Sequence, residues 1–283
     1  GPYKEKILKM HKKWKELETW TVIKRNTAPY TIGYYLNAVD MKYDKNGEIV
    51  MQAENRRIYG KLFLRTFAIS LAITMICVIL AYPISYLLAT LPLRYSNLLM
   101  IFVLLPFWTS LLVRTTAWIA MLQTQGVLND LFVFFGLVSD ENRVQLIHNL
   151  TGTIIAMTHI LLPFMVLPLY SVMKTIPPSY MRAALSLGAN PLVAFVRVYV
   201  PQTLSGIGAG SILVFILSIG YYITPALVGG TDGTLISNQI AYHMQSSLNW
   251  GLAGALGALL LFSVLALYLL YNKIVGIDNM RLG

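Results

Sequence analysis

The chain has 283 residues, of which 56% are hydrophobic and 12% charged, roughly half the charged share of an ordinary soluble domain. That composition excludes a disordered chain and argues against a soluble enzyme. The net charge of +10 could suit a nucleic-acid partner if the basic residues formed one face of a compact fold, so their placement decides. Residues 1–61 hold 13 Lys and Arg against 7 Asp and Glu, and the remaining chain holds 9 against 5. That remainder contains several apolar stretches of the about 20 residues needed to cross a bilayer, which predicts a multi-pass, all-α membrane protein with no nucleic-acid role.

In chain order, the first segment is a basic soluble tail, 1–61. Charges alternate from Lys4 to Glu18, with Ile7, Leu8, Met10, Trp14 and Leu17 at approximately helical spacing, which predicts a solvated amphipathic helix. Tyr43 to Gly47 is turn chemistry, with Asn46-Gly47 suited to a tight hairpin. No uninterrupted apolar core lies in residues 1–30, so no cleavable signal is read there. The chain opens Gly-Pro instead of Met, and the basic tail falls on the wrong side of the charge bias below. Both point to a further span upstream of residue 1.

Five spans follow, at 66–91, 97–122, 150–173, 203–228 and 251–274, within a membrane domain 62–276 that ends in a short cytoplasmic C-terminus, 277–283. Cys77, the single cysteine, lies in the first span, so no intrachain disulfide can form. Pro83, Pro106, Pro163, Pro168 and Pro225 are expected to kink four of the spans, since each lacks an amide donor in a medium without water. Gly206 and Gly210 on the fourth span, and Gly251/Ala255 and Gly254/Ala258 on the fifth, predict close-packing faces. With the loop 174–202 cytoplasmic, Arg94, Lys174, Arg182, Arg197, Lys273 and Arg281 lie inside and only Arg143 outside, beside Asp130, Asp140, Glu141 and Asp232.

The loop 174–202 carries the densest local signals. Pro177 and Pro178 open a short helix, Gly188 supplies its left-handed cap, and Asn190 caps a second helix with Pro191 at its first position. Leu192, Phe195, Val196 and Tyr199 form an apolar stripe along that second helix. The motif Arg182-Ala183-Ala184, three residues, Gly188, nine residues, then Val198-Tyr199-Val200-Pro201 resembles the cytoplasmic signature of the membrane subunit of binding-protein-dependent ABC importers. That signature reads Glu-Ala-Ala, three residues, Gly, nine residues, Ile-x-Leu-Pro. Arg182 stands where the family most often has Glu, which puts any ion pair of that Glu in doubt and leaves the Ala-Ala-Gly geometry intact. The segments 104–114, 160–171 and 220–230 are similar to the spermidine/putrescine type of permease, and the similarity extends from about Trp20 to the C-terminus.

The resemblance implies a type I importer permease fold in a bacterial inner membrane, moving a small solute by alternating access. It implies as partners two ATPase subunits, a second permease, an extracytoplasmic solute-binding protein and the lipid membrane. The chain has no Gly-x-x-x-x-Gly-Lys-Ser/Thr loop, so it is expected to be no enzyme and to hold no cofactor, with ATP and Mg bound by the partner ATPase. Tyr180, Arg182, Ala183, Ala184, Ser186, Gly188, Asn190 and Pro201 are then the docking residues.

No carboxylate lies within the spans, so a cationic solute is expected to meet aromatic faces instead. Trp108, Tyr221 and Tyr222, beside kinking prolines, are the path candidates against a reading as packing residues. Arg114, a charge well inside a span, is read as structural or gating, or as a sign of an anionic group on the solute. His159 reads as a hydrogen-bonded packing residue, and no metal site is expected. The outer carboxylates could concentrate a cation or meet the binding protein. A permease for another small solute is the alternative, with an intramembrane enzyme using Ser211 and His159, or a channel, more remote.

Overall fold

The computed structural model describes residues 3, 6, 8, 10–27, 31–44 and 47–275. Its described helices are α1 (Leu17–Asn26), α2 (Gly33–Ala38), α3 (Tyr59–Thr90), α4 (Leu93–Leu104), α5 (Leu111–Leu122), α6 (Val127–Phe134), α7 (Leu150–Thr175), α8 (Pro178–Ser186) and α9 (Pro191–Ala194). After these come α10 (Leu204–Gly220), α11 (Ile223–Val228), α12 (Ile236–Gln245) and α13 (Trp250–Val275). The only sheet among the described residues is a hairpin of β1 (Met41–Tyr43) and β2 (Ile49–Met51), paired antiparallel with Tyr43 opposite Ile49. The chain packs as two units, one of Gly1–Leu64 with Gln239–Leu261 and one of Arg65–Asn238 with Phe262–Gly283.

The tail matches its sequence reading in part: Tyr3, Lys6, Leu8 and Met10 are helical, a 3₁₀ turn, Lys12–Lys15, follows, and α1 begins at Leu17 where the expected helix was to end. Lys4, Ile7 and Lys9 of that expected helix, Asn46 of the turn, and Arg281 with the C-terminus 277–283 lie outside the described residues. The tight hairpin expected here is present, with Gly47 (φ +88°) donating to the Asp44 carbonyl at 3.0 Å and Asp44 to that of Glu48 at 2.8 Å. In the same unit Asp40, 6% exposed, caps the start of α3: its carboxylate accepts the amides of Ile58 and Tyr59 at 3.1 Å and of Gly60 at 2.8 Å. Those amides have no intrahelical partner, and a carboxylate is favoured at a helix start.

Helix α3 has 32 residues, more than a bilayer needs, and α7 and α13 have 26 each. These three are continuous spans. The second and fourth expected spans are not single helices. In the second, Leu93–Trp108 and Leu111–Phe134 meet at 100°; the fourth is interrupted at Tyr221 and Tyr222, between α10 and α11, and a 57° bend between Pro191–Gln202 and Leu204–Gly220 stands at its start. Prolines alone do not explain the breaks, since Pro83, Pro163 and Pro168 sit within unbroken helices. Pro106 lies in the 3₁₀ turn Leu105–Trp108 and Pro225 in the first turn of α11, where an amide donor is least needed.

The core of the second unit joins α3 (Ile69, Ile73, Cys77, Ala81, Leu88) to α7 (Met157, Leu161, Met165, Val166, Leu169) and to Val214 of α10. The Cys77 thiol donates to the Thr158 carbonyl at 3.7 Å and the Ser85 hydroxyl to that of Val166 at 3.2 Å, tying α3 to α7 beside its prolines. Helix α10 lays Gly206 and Gly210 against Leu169, Val172 and Met165 of α7, so this face packs closely as read. On α13 only one of the two small-residue pairs does so. Gly251 lies beneath the Tyr34 ring and Ala255 is buried, whereas Gly254 meets nothing.

Candidate translocation site and docking element

Two helix breaks lie side by side. Helices α5 and α11 pack together, with the hydroxyls of Thr115 and Thr224, both fully buried, 3.3 Å apart. At the first break, Ser110 caps α5 by accepting the Val113 amide at 3.2 Å. Arg114 turns back over this break: its guanidinium donates to the Pro106 carbonyl, to the Thr109 carbonyl at 3.0 Å and to the Thr109 hydroxyl at 3.4 Å. A charge within a span needs partners, and here they are carbonyls freed by the break.

The second break falls at Tyr221 and Tyr222, between α10 and α11. Its carbonyls are met from α12, where the Ser237 hydroxyl donates to Tyr221 at 2.6 Å and the Asn238 amide to Tyr222 at 2.8 Å. The Tyr221 ring packs against the core, and Tyr222 is more open at 38% exposed. Arg114 lies within electrostatic reach of both Tyr221 and His159. His159 accepts the Trp118 indole N–H at 3.1 Å through Nδ1, so the hydrogen bond expected of it is present and its donor is on α5. Trp108, at the end of the first broken segment, is 89% exposed. The structure thus places Arg114 and Tyr221 near one another. Thr115, Thr224, Ser237 and Asn238 were missed by sequence reasoning, which offered no periodic signal for them.

The outer loop is more neutral than its composition suggests. Arg143 pairs with Asp140 at 2.6 Å and Asp130 at 2.7 Å, and donates to the Thr124 carbonyl at 3.2 Å. The bond to Asp140, and after it that to Asp130, push the guanidinium pKa up. Two of the four carboxylates read as outer are therefore engaged by Arg143, and Arg65 donates to the backbone carbonyls of Thr231 at 3.3 Å and Asp232 at 3.1 Å. Among the described residues no three His, Cys, Asp or Glu side chains come together as a metal site.

The loop after α7 folds much as its local signals require. Pro177 precedes α8, and Ala189 donates to the Ala184 carbonyl at 3.1 Å around Gly188, whose φ is +86°. Asn190 accepts the Leu192 amide at 3.0 Å, with Pro191 opening α9. Tyr180, Arg182, Ala183, Ser186, Gly188, Asn190 and Pro201 are exposed, and Ala184 is half-buried. Leu187, 89% exposed beside Gly188, is an apolar tip that the motif did not mark.

The expected amphipathic second helix is broken in register. A π-helical turn occupies Phe195–Tyr199, so Leu192 and Val196 are exposed while Phe195 and Tyr199 pack against Tyr82 and Tyr86. Each π turn shifts the facing residues, and Pro201 has no amide for the carbonyl four residues before it. The Gln202 side-chain amide donates to the Val198 carbonyl at 2.6 Å, satisfying an acceptor in the widened turn.

Residues 81–277 match the family described as "Binding-protein-dependent transport system inner membrane component". The chain belongs to this family. The permease is 33% identical over 213 residues to the spermidine/putrescine transport system permease protein PotB of Escherichia coli (strain K12), covering 75% of this chain and 76% of that protein. It is 34% identical over 230 residues to the inner membrane ABC transporter permease protein YdcU of the same strain, covering 76% and 71%. Its fold is similar to a chain of the bacterial alginate ABC transporter solved with an alginate pentasaccharide-bound periplasmic protein, at a TM-score of 0.59 and 18% identity, covering 79% and 81%. The permease is thus a multi-pass inner-membrane subunit of an ABC importer and not itself an enzyme. Family membership sets aside the readings as an intramembrane enzyme or a channel.

Proposed function

We propose that this permease moves a polyamine of the spermidine/putrescine class, with two cytoplasmic ATPases, a second permease subunit and an extracytoplasmic solute-binding protein. The observation that carries the substrate is the 33% identity to PotB across three quarters of both chains. Two features of the site agree with a cationic solute. The Arg114 charge is turned onto backbone carbonyls, and the Tyr221 and Tyr222 rings stand at the neighbouring break, where an aromatic face holds an ammonium group by about 0.5–2 kcal/mol. In this reading Trp108, Tyr221 and Tyr222 line the path, Arg114 holds the break open, and ATP and Mg are bound by the partner.

Docking falls to residues 180–190 with Pro201. Exposed Tyr180, Ala183 and Leu187 present an apolar, low-relief surface, and Gly188 ends the helix that carries them. Arg182 belongs to the same exposed helix.

The test is uptake of labelled putrescine and spermidine by cells in which this permease is the only polyamine route, alongside ATPase activity of the reconstituted importer. Uptake that requires the permease, with ATP hydrolysis stimulated by the loaded binding protein, is expected. Absence of polyamine uptake, with transport of another small solute, overturns the substrate. Gly188→Val is expected to leave the importer assembled but uncoupled, because a β-branched residue resists φ +86° although its Cβ would meet no atom. Full transport in that variant would refute the docking assignment.

A further inference from the structure

Behind α8, at the cytoplasmic ends of α3 and α7, lies a cavity of about 540 Å³, within the roughly 300–1,000 Å³ typical of small-molecule sites. Its wall contains two cations, Lys174 and Arg182, and no carboxylate. Lys174 makes one long hydrogen bond, at 3.4 Å to the Ala89 carbonyl, and Arg182 has no hydrogen bond or ion pair among the described residues. The rings of Tyr86 and Tyr199 line the same wall and stack edge-on at 5.3 Å, with neither hydroxyl bonded to a described residue. Apart from Thr90, whose hydroxyl donates to the Tyr86 carbonyl at 2.8 Å, the rest of the lining is apolar, including Ile176 and Met181.

Two unpaired cations, two free phenol donors and an apolar floor sit where spanning helices leave the membrane. A soluble anion would be matched by the cations and hydroxyls alone and would leave Ile176 and Met181 facing water. An anionic phospholipid matches both halves, with its phosphodiester on the cations and its glycerol and first methylenes on the apolar floor. Basic pockets between helices on the cytoplasmic side are suited to such headgroups. We propose that this cavity binds the phosphate of an anionic membrane phospholipid, held by Lys174 and Arg182 with the Tyr86 and Tyr199 hydroxyls as neutral donors. The site lies against the helix bearing Arg182, so a bound lipid would brace α8 from the membrane side.

The test uses the purified importer complex, exchanged into micelles containing equal amounts of phosphatidylglycerol and phosphatidylcholine with matched chains. Retained lipid is counted by mass spectrometry. The complex is expected to retain phosphatidylglycerol preferentially. Near-surface cations contribute on the order of fivefold each, so Lys174→Ala with Arg182→Ala should lower that preference about 25-fold, and Arg182→Lys should keep most of it. Reaction of buried Cys77 with a thiol reagent checks that the variants remain folded. Equal retention of the two lipids, or an unchanged preference in the folded double variant, overturns the proposal. Binding of inorganic phosphate that depends on both cations, without phosphatidylglycerol preference, overturns the lipid assignment in favour of a soluble phosphate compound.

Discussion

The contact of α10 with α7 offers a quantitative test of how tightly the second unit is packed. A Cβ at Gly206 would lie 3.1 Å from Leu169 Cα and 3.1 Å from Val172 Cβ, against about 3.5–4.0 Å for an ordinary carbon contact. Neither neighbour is the free end of a flexible side chain, so the helices must part by several tenths of an ångström. Overpacking of this kind costs roughly 1–3 kcal/mol, offset for alanine by about 1 kcal/mol of helix propensity. Gly206→Ala should therefore destabilise by about 1 kcal/mol and Gly206→Leu by about 3 kcal/mol. At Gly210 the nearest atom is Met165 Sδ at 2.6 Å, a flexible end that can swing aside, so alanine there costs less. Both residues lie on one face, and one separation of the helices relieves both, so the double alanine variant should cost less than the two singles added. Cys77 is the assay: it is fully buried between α3 and α7, and a thiol-reactive dye reports its exposure on heating. With about 2–4 °C per kcal/mol for a chain of this size, Gly206→Leu should lower the midpoint by about 6–12 °C. Gly254→Leu, where nothing lies within 4 Å, should not lower it. A wild-type midpoint for Gly206→Leu, or equal losses at Gly206 and Gly254, refutes the packing described.

Other consequences can be measured with the same dye. Asp40→Ala leaves three amides at the start of α3 without their acceptor and should cost about 1–3 kcal/mol, with Asp40→Asn intermediate. Arg114→Ala leaves the Thr109 carbonyl without its donor, while the Pro106 carbonyl keeps the Thr109 hydroxyl, and should destabilise by about 1 kcal/mol, whereas loss of transport with an unchanged midpoint would point to a role in the path alone. His243 bonds Tyr59 and Ser247 at 2.8 Å each, and burial lowers its pKa, so the unfolded chain binds the proton more readily. Stability is then complete above about pH 6.5 and falls as pH drops below it, and His243→Gln should flatten that part of the profile. Asn149→Ala removes the acceptor of the Gly152 amide at the start of α7, 2.8 Å away, for an expected loss of about 1 kcal/mol.

What could be read from residues alone followed the range of the rule used. Apolar length located the membrane segments, and backbone chemistry over a few positions located the left-handed Gly188 and the Asn190 cap with Pro191 behind it. Length could not tell a straight span from a bent one, because the breaks depend on who receives the freed carbonyls. For Tyr221 the donor is Ser237, 16 residues away on another helix, and Asn238 adds a second donor to the Tyr222 carbonyl beside the Ala226 amide. For Arg114 the residues alone left a structural role and an anionic solute both open, since its partners are uncharged oxygens of its own chain that no charge pattern marks. The π turn at 195–199 likewise moved two of four stripe residues to the surface, a shift that helical periodicity cannot register.

The paired breaks also bear on stiffness. Changing the angle of an intact spanning helix means opening its hydrogen-bond ladder in hydrocarbon, where no water replaces the lost partners. At Ser110 and at Tyr222 the ladder is already interrupted, and single side chains from neighbouring segments hold the loose ends. Rotation there strains a handful of side-chain contacts and a few backbone torsions, leaving the helices on either side whole. The chain is thus compliant at two adjoining points and rigid along α3 and α7, the mechanical layout of levers with a shared hinge line.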